Sequence, residues 1–328
     1  TVNVTNLNDN NPSFTSNVTF NAEENQTAIG TVTATDADGD AVTFTISGSE
    51  LQITSAGVLS FVSAPDYESK STYTATVTAS DGINTTTQEI TINVLNVNDI
   101  APEFTSDATF SAAENQTAVG TVLTTDADGD DLTFTISGSD ITITGSSSAE
   151  ENGNWPALLQ FVSAPDYETQ TSYSATITVS DGTNSTTQDI TVNVTNVNDV
   201  APEFTSDATF SAAENQTAIG TVTATDAEGD TVTFTISPAA DLQITSAGVL
   251  TFVSAPDYET DTSFTATVTA SDGTNSTTQD ITVNVTNVND NSPQFTSGAN
   301  FSAEENQTAI GTVTATDADG DTVTFTIS

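Results

Sequence analysis

Apolar and polar residues alternate with a period of two along most of the chain. Segments such as TVTAT, AVTFTIS and EITINVLNV place Val, Ile, Phe or Ala at every second position, mostly with Thr between them. This alternation is typical of half-buried β-strands, in which successive side chains point to opposite faces of a sheet. The sequence shows no helical period of useful length. The pattern therefore predicts an all-β protein.

Turn sequences divide the first part of the chain into seven predicted strands. The turns are DADGD, SAG, APDYE and SDG. The strands are expected at residues 14–20, 28–35, 41–47, 50–54, 57–62, 73–79 and 88–95. Seven short strands within roughly 90 residues favour a seven-stranded antiparallel Greek-key β-sandwich made of two sheets.

A short Asn- and Asp-rich sequence marks the boundaries of repeats. NLNDNNP at 6–12 returns as NVNDIAP at 96–102, NVNDVAP at 196–202 and NVNDNSP at 287–293. We therefore predict the last strand and linker of a preceding repeat at 1–12, repeats at 13–99, 100–199 and 200–290, and the first part of a fourth at 291–328. We expect the chain to be a window on a longer array.

The second repeat is longer than the others by about ten residues. The extra residues lie around GSSSAEENGNWPA at 145–157, where the other repeats have a tight TSAG turn, so a lengthened hairpin is predicted. This segment contains Trp155, the single tryptophan of the chain. We expect Trp155 to fold back over apolar surface, and the alternative is an exposed contact for a partner.

The composition restricts the partners and the chemistry. The chain has 45 acidic residues, one basic residue, no histidine and no cysteine, and its net charge is −44. Such a chain repels nucleic acid and anionic membranes, and no apolar run is long enough to cross a bilayer. No disulfide can form. An oxygen-only ligand set suits hard cations such as calcium and suits zinc, copper or iron–sulfur chemistry poorly.

Acidic residues recur in a fixed order at the predicted strand ends. Each repeat carries EN after its first strand, then DADGD (DAEGD in the third repeat), then PDYE, then SDG, and finally the linker. Two carboxylates about 4 Å apart repel by about 4 kcal/mol at an effective dielectric of about 20. Because strand ends of a sandwich gather at its two poles, acidic turns of one repeat are expected to face those of the next. Cations are the expected occupants.

Taken together and in order, EN, DAD, DYE, SDG and the NVNDN linker before Pro resemble the cadherin repeat, over nearly the whole chain. Within that family the chain resembles in particular the bacterial cadherin-like repeats of large adhesins. The resemblance implies immunoglobulin-like sandwiches joined end to end, placed outside the cell or at its surface. It also implies two to three Ca²⁺ ions at each junction, held by the lower pole of one repeat, the linker and the upper pole of the next.

The resemblance assigns four groups of metal ligands. At the first junction they are Glu24, Asp66, Glu68, Asn96, Asn98, Asp99, Asp126, Asp128 and Asp181. At the second junction they are Glu114, Asp166, Glu168, Asn196, Asn198, Asp199, Asp226, Glu228 and Asp272. At the third junction they are Glu214, Asp257, Glu259, Asn287, Asn289, Asp290, Asp317 and Asp319. Ahead of the first repeat, Asn8, Asp9, Asp36, Asp38 and Asp81 form half a junction.

Two departures from the family pattern affect these assignments. The family linker opens with Asp, whereas here every linker opens with Asn, namely Asn6, Asn96, Asn196 and Asn287. An amide oxygen ligates calcium without charge, so one of the three family sites is expected to be weak or absent. Glu228 stands where the other repeats have Asp, and the second junction is expected to differ in affinity.

The sequence leaves three classes of function to consider. The first is a calcium-rigidified stalk or fibre segment of a cell-surface adhesin. The second is direct binding, in which the repeats attach to identical chains or a surface ligand, or assemble into a filament or matrix. An enzyme is not expected, because the chain lacks a nucleophile with a base beside it. The competing interpretation of the acids is a solvated surface of turn residues, which does not account for paired acids at both poles.

Overall fold

The computed structural model describes residues 1–146, 148–150 and 153–328, and the regular elements within these residues are β-strands. The first repeat contains β1 (Ser13–Phe14), β2 (Thr19–Glu23), β3 (Ala28–Thr31), β4 (Ala34–Thr35), β5 (Thr43–Ile46), β6 (Leu51–Ile53), β7 (Val58–Phe61), β8 (Thr72–Ser80) and β9 (Thr85–Leu95). The second contains β10 (Glu103–Phe104), β11 (Thr109–Ala113), β12 (Ala118–Thr125), β13 (Thr133–Ile136), β14 (Ile141–Gly145), β15 (Asn154–Phe161), β16 (Ser172–Ser180) and β17 (Ser185–Thr195).

The remaining strands follow the same order. The third repeat contains β18 (Glu203–Phe204), β19 (Thr209–Ala213), β20 (Ala218–Thr221), β21 (Ala224–Thr225), β22 (Thr233–Ser237), β23 (Leu242–Ile244), β24 (Val249–Phe252), β25 (Ser263–Ser271) and β26 (Ser276–Thr286). Beyond it lie β27 (Gln294–Phe295) and β28 (Ala315–Thr316). The chain divides into two compact units. One is Thr1–Asp166 with Gln170–Thr195, and the other is Tyr167–Thr169 with Asn196–Ser328.

Each complete repeat is a sandwich, which confirms the predicted all-β, immunoglobulin-like class. In the first repeat a four-stranded sheet has the order β2-β9-β8-β5, a three-stranded sheet has the order β3-β7-β6, and β1 pairs with β4. The third repeat has the same arrangement with β19-β26-β25-β22, β20-β24-β23 and β18-β21. The pairings are antiparallel except for β2 with β9 and its equivalents, which are parallel. The spacing of hydrophobic residues along a strand does not reveal whether its partner runs parallel or antiparallel to it.

Two predicted strands are each divided between sheets. The segment predicted at 14–20 contains β1, which pairs with β4, and β2, which pairs with β9. Between them the amides of Thr15 and Ser16 both donate to the carbonyl oxygen of Thr33, where the chain leaves one sheet for the other. The segment predicted at 28–35 likewise contains β3 and β4. The prediction of single strands was wrong there, because alternation continues through a change of sheet.

The core lies between the two sheets. In the first repeat it includes Leu59 and Phe61 from one sheet and Val77, Ile90 and Ile92 from the other, each at most 1% exposed. These are the inward positions of the alternating pattern, so the pattern identifies the core correctly. With its inner faces packed, the sandwich holds the strand-end turns at its poles.

The second repeat has the predicted longer hairpin, although residues 147, 151 and 152 of the segment 145–157 lie outside the described residues. β14 and β15 pair from Ile141↔Phe161 to Gly145↔Ala157. Trp155 is 4% exposed and packs with Leu132 and Val179. The expectation that it covers apolar surface is confirmed, and the alternative of an exposed partner contact is wrong.

Candidate metal centres

Glu24 connects three segments at the lower pole of the first repeat. It directly follows β2 and is only 3% exposed. One carboxylate oxygen, Oε1, accepts the backbone N–H of Val97 at 2.8 Å, and the other, Oε2, accepts that of Tyr67 at 2.7 Å. The same carboxylate therefore holds the linker and the PDYE turn together. Both hydrogen bonds leave lone pairs on the oxygens for a cation.

The linker brings acids of two repeats to one place. Oxygens of Glu24, Glu68, Asp99 and Asp128 all lie within 4.8 Å of one another. The N–H groups of Asp99 and Ile100 donate to Oδ2 of Asp128, at 3.1 and 2.9 Å. Four carboxylates so close repel one another, and a bound proton or cation would relieve that repulsion. The single lysine of the chain, Lys70, pairs with Glu50 instead.

The upper pole of the second repeat carries buried carboxylate oxygens that accept no hydrogen bond. These atoms are Oδ2 of Asp126, Oδ1 of Asp128 and Oδ2 of Asp181, and the Asp181 residue is 8% exposed. The other carboxylate oxygen of each aspartate accepts hydrogen bonds from backbone N–H groups. Oδ1 of Asp181, for example, accepts the N–H groups of Thr183 and Asn184 at 2.7 and 2.6 Å. Buried polar atoms are almost always paired, and buried anionic oxygens need a donor or a cation.

The pKa values of the acids at the first junction are shifted by burial and by the charges of their neighbours. Burial, with added repulsion from Glu24 and Asp128, raises the pKa of Glu68 to about 7. Burial also raises the pKa of Asp126, to which the charges of Asp128 and Asp181 contribute. Burial raises the pKa of Asp181 too, but the hydrogen bonds from Asn184 and Thr183 outweigh it and leave this pKa below its usual value. The cluster of four therefore holds a proton readily, whereas Asp181 stays ionised.

The third junction, within the second unit, repeats this geometry. Oxygens of Glu214, Glu259, Asp290 and Asp319 lie within 4.8 Å of one another. Glu214 is 3% exposed and accepts the N–H groups of Val288 at 2.7 Å and Tyr258 at 2.8 Å. Burial raises the pKa of Glu259, and the neighbouring acids add to the shift. Two independent linkers thus form the same cluster.

The other predicted residues are placed as follows. Ahead of the first repeat, the N–H groups of Asp9 and Asn10 donate to Oδ2 of Asp38, and Oδ2 of Asp36 is buried without a hydrogen-bond partner. Asp66 and Asp257 accept hydrogen bonds within their own turns, from Ser69 and Thr260.

The second group is divided between the two units. Within the second unit, oxygens of Glu168, Asp199 and Glu228 lie within 4.8 Å of one another, and Oδ2 of Asp226 and Oδ2 of Asp272 are buried without a partner. In the first unit Glu114 is 3% exposed at the end of β11.

The structure adds residues that the motifs did not identify. Asn84, Asn184 and Asn275 follow the SDG turns and donate from Nδ2 to the side-chain oxygens of Asn8, Asn98 and Asn198, at 3.0, 3.1 and 2.8 Å. The last aspartate of DADGD also joins the turn, since Asp36, Asp38 and Asp40 lie within 4.8 Å of one another. Recurrence of SDGxN in three repeats is the sequence signal that could have revealed these asparagines.

The ligand atoms fit a hard divalent cation. They are carboxylate and amide oxygens, and three of them at one pole are buried without a donor. Calcium takes six to eight such oxygens in flexible geometry, whereas magnesium requires a near-ideal octahedron. When bound, calcium would supply the positive charge that offsets the repulsion among these carboxylates.

Comparisons with known proteins show similarity to immunoglobulin-like and cadherin sequences. A family model described as "Bacterial Ig domain" matches residues 98–195. Human Cadherin EGF LAG seven-pass G-type receptor 1 is 31% identical over 251 residues, which is 70% of this chain and 8% of the receptor. Chitinase A of Pseudoalteromonas piscicida is 38% identical over 126 residues, which is 38% of this chain and 15% of the chitinase. The chain therefore spans less than a sixth of the length of either relative.

Solved structures show the same fold. The extracellular domain of Protocadherin GammaB4 matches with a TM-score of 0.65 and 25% identity, covering 96% of this chain and 57% of that chain. Over the described residues no helix has the length and apolar character needed to span a membrane. The ordered motifs, the sandwich sheets and these similarities together show that the chain is a cadherin-like repeat array of the extracellular type.

Proposed function

We propose that this chain is a segment of an extracellular stalk or fibre, part of a large cell-surface adhesin, whose repeats are joined rigidly by two to three calcium ions at each junction. The observation that carries the proposal is the set of buried, unpartnered oxygens on Asp126, Asp128 and Asp181 next to the four-carboxylate cluster at the first linker. These oxygens belong to one repeat, and Glu24 and Glu68 belong to the previous one. A cation bound by both would join them.

The proposed ligands of the first junction supply seven carboxylates. They are Glu24, Asp66, Glu68, Asp99, Asp126, Asp128 and Asp181. Three divalent ions would nearly neutralise them, whereas without ions the same charges repel. Bound calcium would therefore favour the closed junction over a flexible one. We assign the repeats the boundaries 13–99, 100–199 and 200–290.

The match to a bacterial immunoglobulin-domain family supports a bacterial adhesin as the parent protein. A catalytic role is not proposed for these residues. Acids that hold calcium are poor general bases, and equivalent sites recur at successive linkers, which is typical of a structural ion.

The test is small-angle scattering of the full chain in calcium and in chelator. We expect the maximum dimension and its spread to change when calcium is removed, and we expect calorimetry to count two to three ions at each complete junction. The double variant Asp126→Asn with Asp181→Asn removes charge at one junction with little change in volume. It should lower the ion count while the third junction still binds. Identical scattering profiles in calcium and chelator would refute the stalk model.

A second candidate is association of identical chains, and one observation favours it. In the three-stranded sheet of the first repeat, Val58 and Gln52 point outward. Val58 is 50% exposed, and Val62, just after the same strand, is 54% exposed. The third repeat exposes Val249 and Val253 in the same way. On so acidic a chain, an uncharged face is where a second copy meets least repulsion. Sedimentation velocity in calcium tests it, and Val62→Asp should weaken any dimer.

A further inference from the structure

The first residue of three linkers is held in the same way. The Nδ2 atoms of Asn6, Asn96 and Asn287 donate to the backbone carbonyl oxygens of Asp38, Asp128 and Asp319, at 2.6, 2.7 and 2.7 Å. In every case the acceptor lies 32 residues further along the chain, in the DAD turn of the following repeat. The contact is therefore a regular feature of these linkers.

The partner determines which end of the amide faces it. A backbone carbonyl oxygen accepts hydrogen bonds and cannot donate one, so a flipped amide would place two oxygens against each other. The nitrogen of the Asn96 side chain must therefore face Asp128. An aspartate at position 96 could not make this contact, since an ionised carboxylate only accepts.

Neighbouring contacts strengthen the attachment. Asp128 receives Asn96 on its carbonyl oxygen, and it receives the N–H groups of Asp99 and Ile100 on its carboxylate. Three linker residues thus donate to one residue of the following repeat.

We infer that Asn6, Asn96 and Asn287 are positioning residues that fasten their linkers to the following repeat by hydrogen bonding, and that this contact, and not calcium ligation, is the reason why these linkers open with asparagine. The second half of this inference depends on the proposed function, and the first half does not. The inference explains the departure from the family pattern, because the position requires a donor and an aspartate would place negative charge against a carbonyl oxygen.

Hydrogen exchange of the full chain in chelator tests the attachment. Asn96→Asp and Asn96→Ala should each raise the exchange rates of the amides of Asp99 and Ile100 about fivefold, the effect of losing one hydrogen bond of typical net strength. Asn93→Asp is the matched control, because it adds the same charge on β9, where Asn93 bonds Asn21. The linker at 287–291 serves as an internal reference. Unchanged rates in both Asn96 variants would overturn the inference.

A spectroscopic measurement separates attachment from ligation. The side-chain amide signal of Asn96, identified by its loss in Asn96→Ala, should be protected in chelator and should keep its carboxamide carbon shift when calcium is added. A large calcium-induced shift, or tighter calcium binding by Asn96→Asp, would show ligation and overturn the second half. If the chain binds no calcium at all, the proposed function fails while the exchange experiment still decides the first half.

Discussion

Asn25 donates its side-chain amide to Oδ2 of Asp99 at 2.5 Å, across 74 residues of sequence. It reaches this position because its backbone has a φ of 60°, in the left-handed region that asparagine tolerates better than most residues. Asn215 has a φ of 63° and makes the same contact with Asp290. The residue beside the buried glutamate thus orients the linker aspartate, which the EN motif alone does not reveal.

Replacing Asn25 by glycine isolates this contact, because glycine keeps the positive φ without strain. Asn25→Gly should weaken calcium binding at the first junction about fivefold, since Asp99 loses a hydrogen bond worth about 1 kcal/mol. Calcium titration by calorimetry measures this effect. Asn215→Gly is the matched control and should change only the third junction. Equal affinities for Asn25→Gly and the parent chain would contradict a positioning role for Asn25.

Asp99 receives Asn25 on its carboxylate and donates its own N–H to Asp128, so its carboxylate faces acids of both repeats. Asp99→Ala should abolish calcium protection at the first linker, while the linker at 287–291 keeps its protection. Hydrogen exchange in calcium, compared between these two segments, measures the difference. Asp107→Ala, at an exposed position near the start of β11, controls for loss of charge. Loss of protection at both linkers would show that the junctions are not independent.

Glu68 predicts a pH dependence because its pKa is raised to about 7 from an ordinary 4.5. In the ion-free protein, folding favours the protonated form of the Glu68 carboxyl group relative to the unfolded chain. The stability of the fold with respect to this group is therefore fully present below about pH 4.5 and is lost as the pH rises through about 7. Calcium needs the ionised form and should release protons when it binds between pH 6 and 7. Its affinity should therefore rise with pH across this window and then level off.

Calorimetry in buffers of different ionisation enthalpy measures the proton release. Glu68→Gln should reduce the release at the first junction, whereas the third junction retains its own contribution from Glu259, whose pKa is also raised. Binding heats that do not depend on the buffer at pH 6.5 would contradict the prediction.

Gly57 closes the tight turn between β6 and β7 and allows a close backbone approach. It has a φ of 85°, and a Cβ on it would lie 2.1 Å from the carbonyl oxygen of Val32. Gly39 has a φ of 87° and nothing within 4 Å of such a Cβ. Gly39→Ala should therefore cost only the backbone strain of about 1 kcal/mol, and Gly57→Ala should cost about 2 kcal/mol more. Chemical denaturation of the two variants tests the difference, and equal losses would rule out the steric term.

The sequence predicts those features of this structure that depend on residues close together in the chain or on a repeated motif. It does not predict features that depend on a distant partner. Alternation correctly places Val77, Ile90 and Ile92 in the core, because burial follows a local period. Repeated acidic motifs indicate which strand ends meet, and Glu24 and Asp128 do lie together. The pairing direction of β2 and β9 and the change of sheet between Phe14 and Thr19 depend on distant partners. The orientation of the Asn96 amide is invisible for the same reason, since only its acceptor defines it.

The longer hairpin of the second repeat contributes one large side chain, Trp155, to the core of that repeat. Trp155 lies on β15 opposite Thr124, whose hydroxyl donates to the Trp155 carbonyl oxygen at 3.1 Å, and its ring packs with Leu132 and Val179. Trp155→Ala removes a large buried ring and should destabilise the first unit by about 3 to 5 kcal/mol. Leu158→Ala, on the same strand but 45% exposed, is the matched control and should cost less than about 1 kcal/mol.

Denaturation followed by circular dichroism, with hydrogen exchange to assign the loss, measures both variants. Because contacts in a repeat array are mostly with adjacent repeats, the segments β22 to β26 should keep their protection in Trp155→Ala. A loss of similar size for Leu158→Ala would mean that the stability of the hairpin comes from the strand as a whole. The buried tryptophan would then not be its anchor.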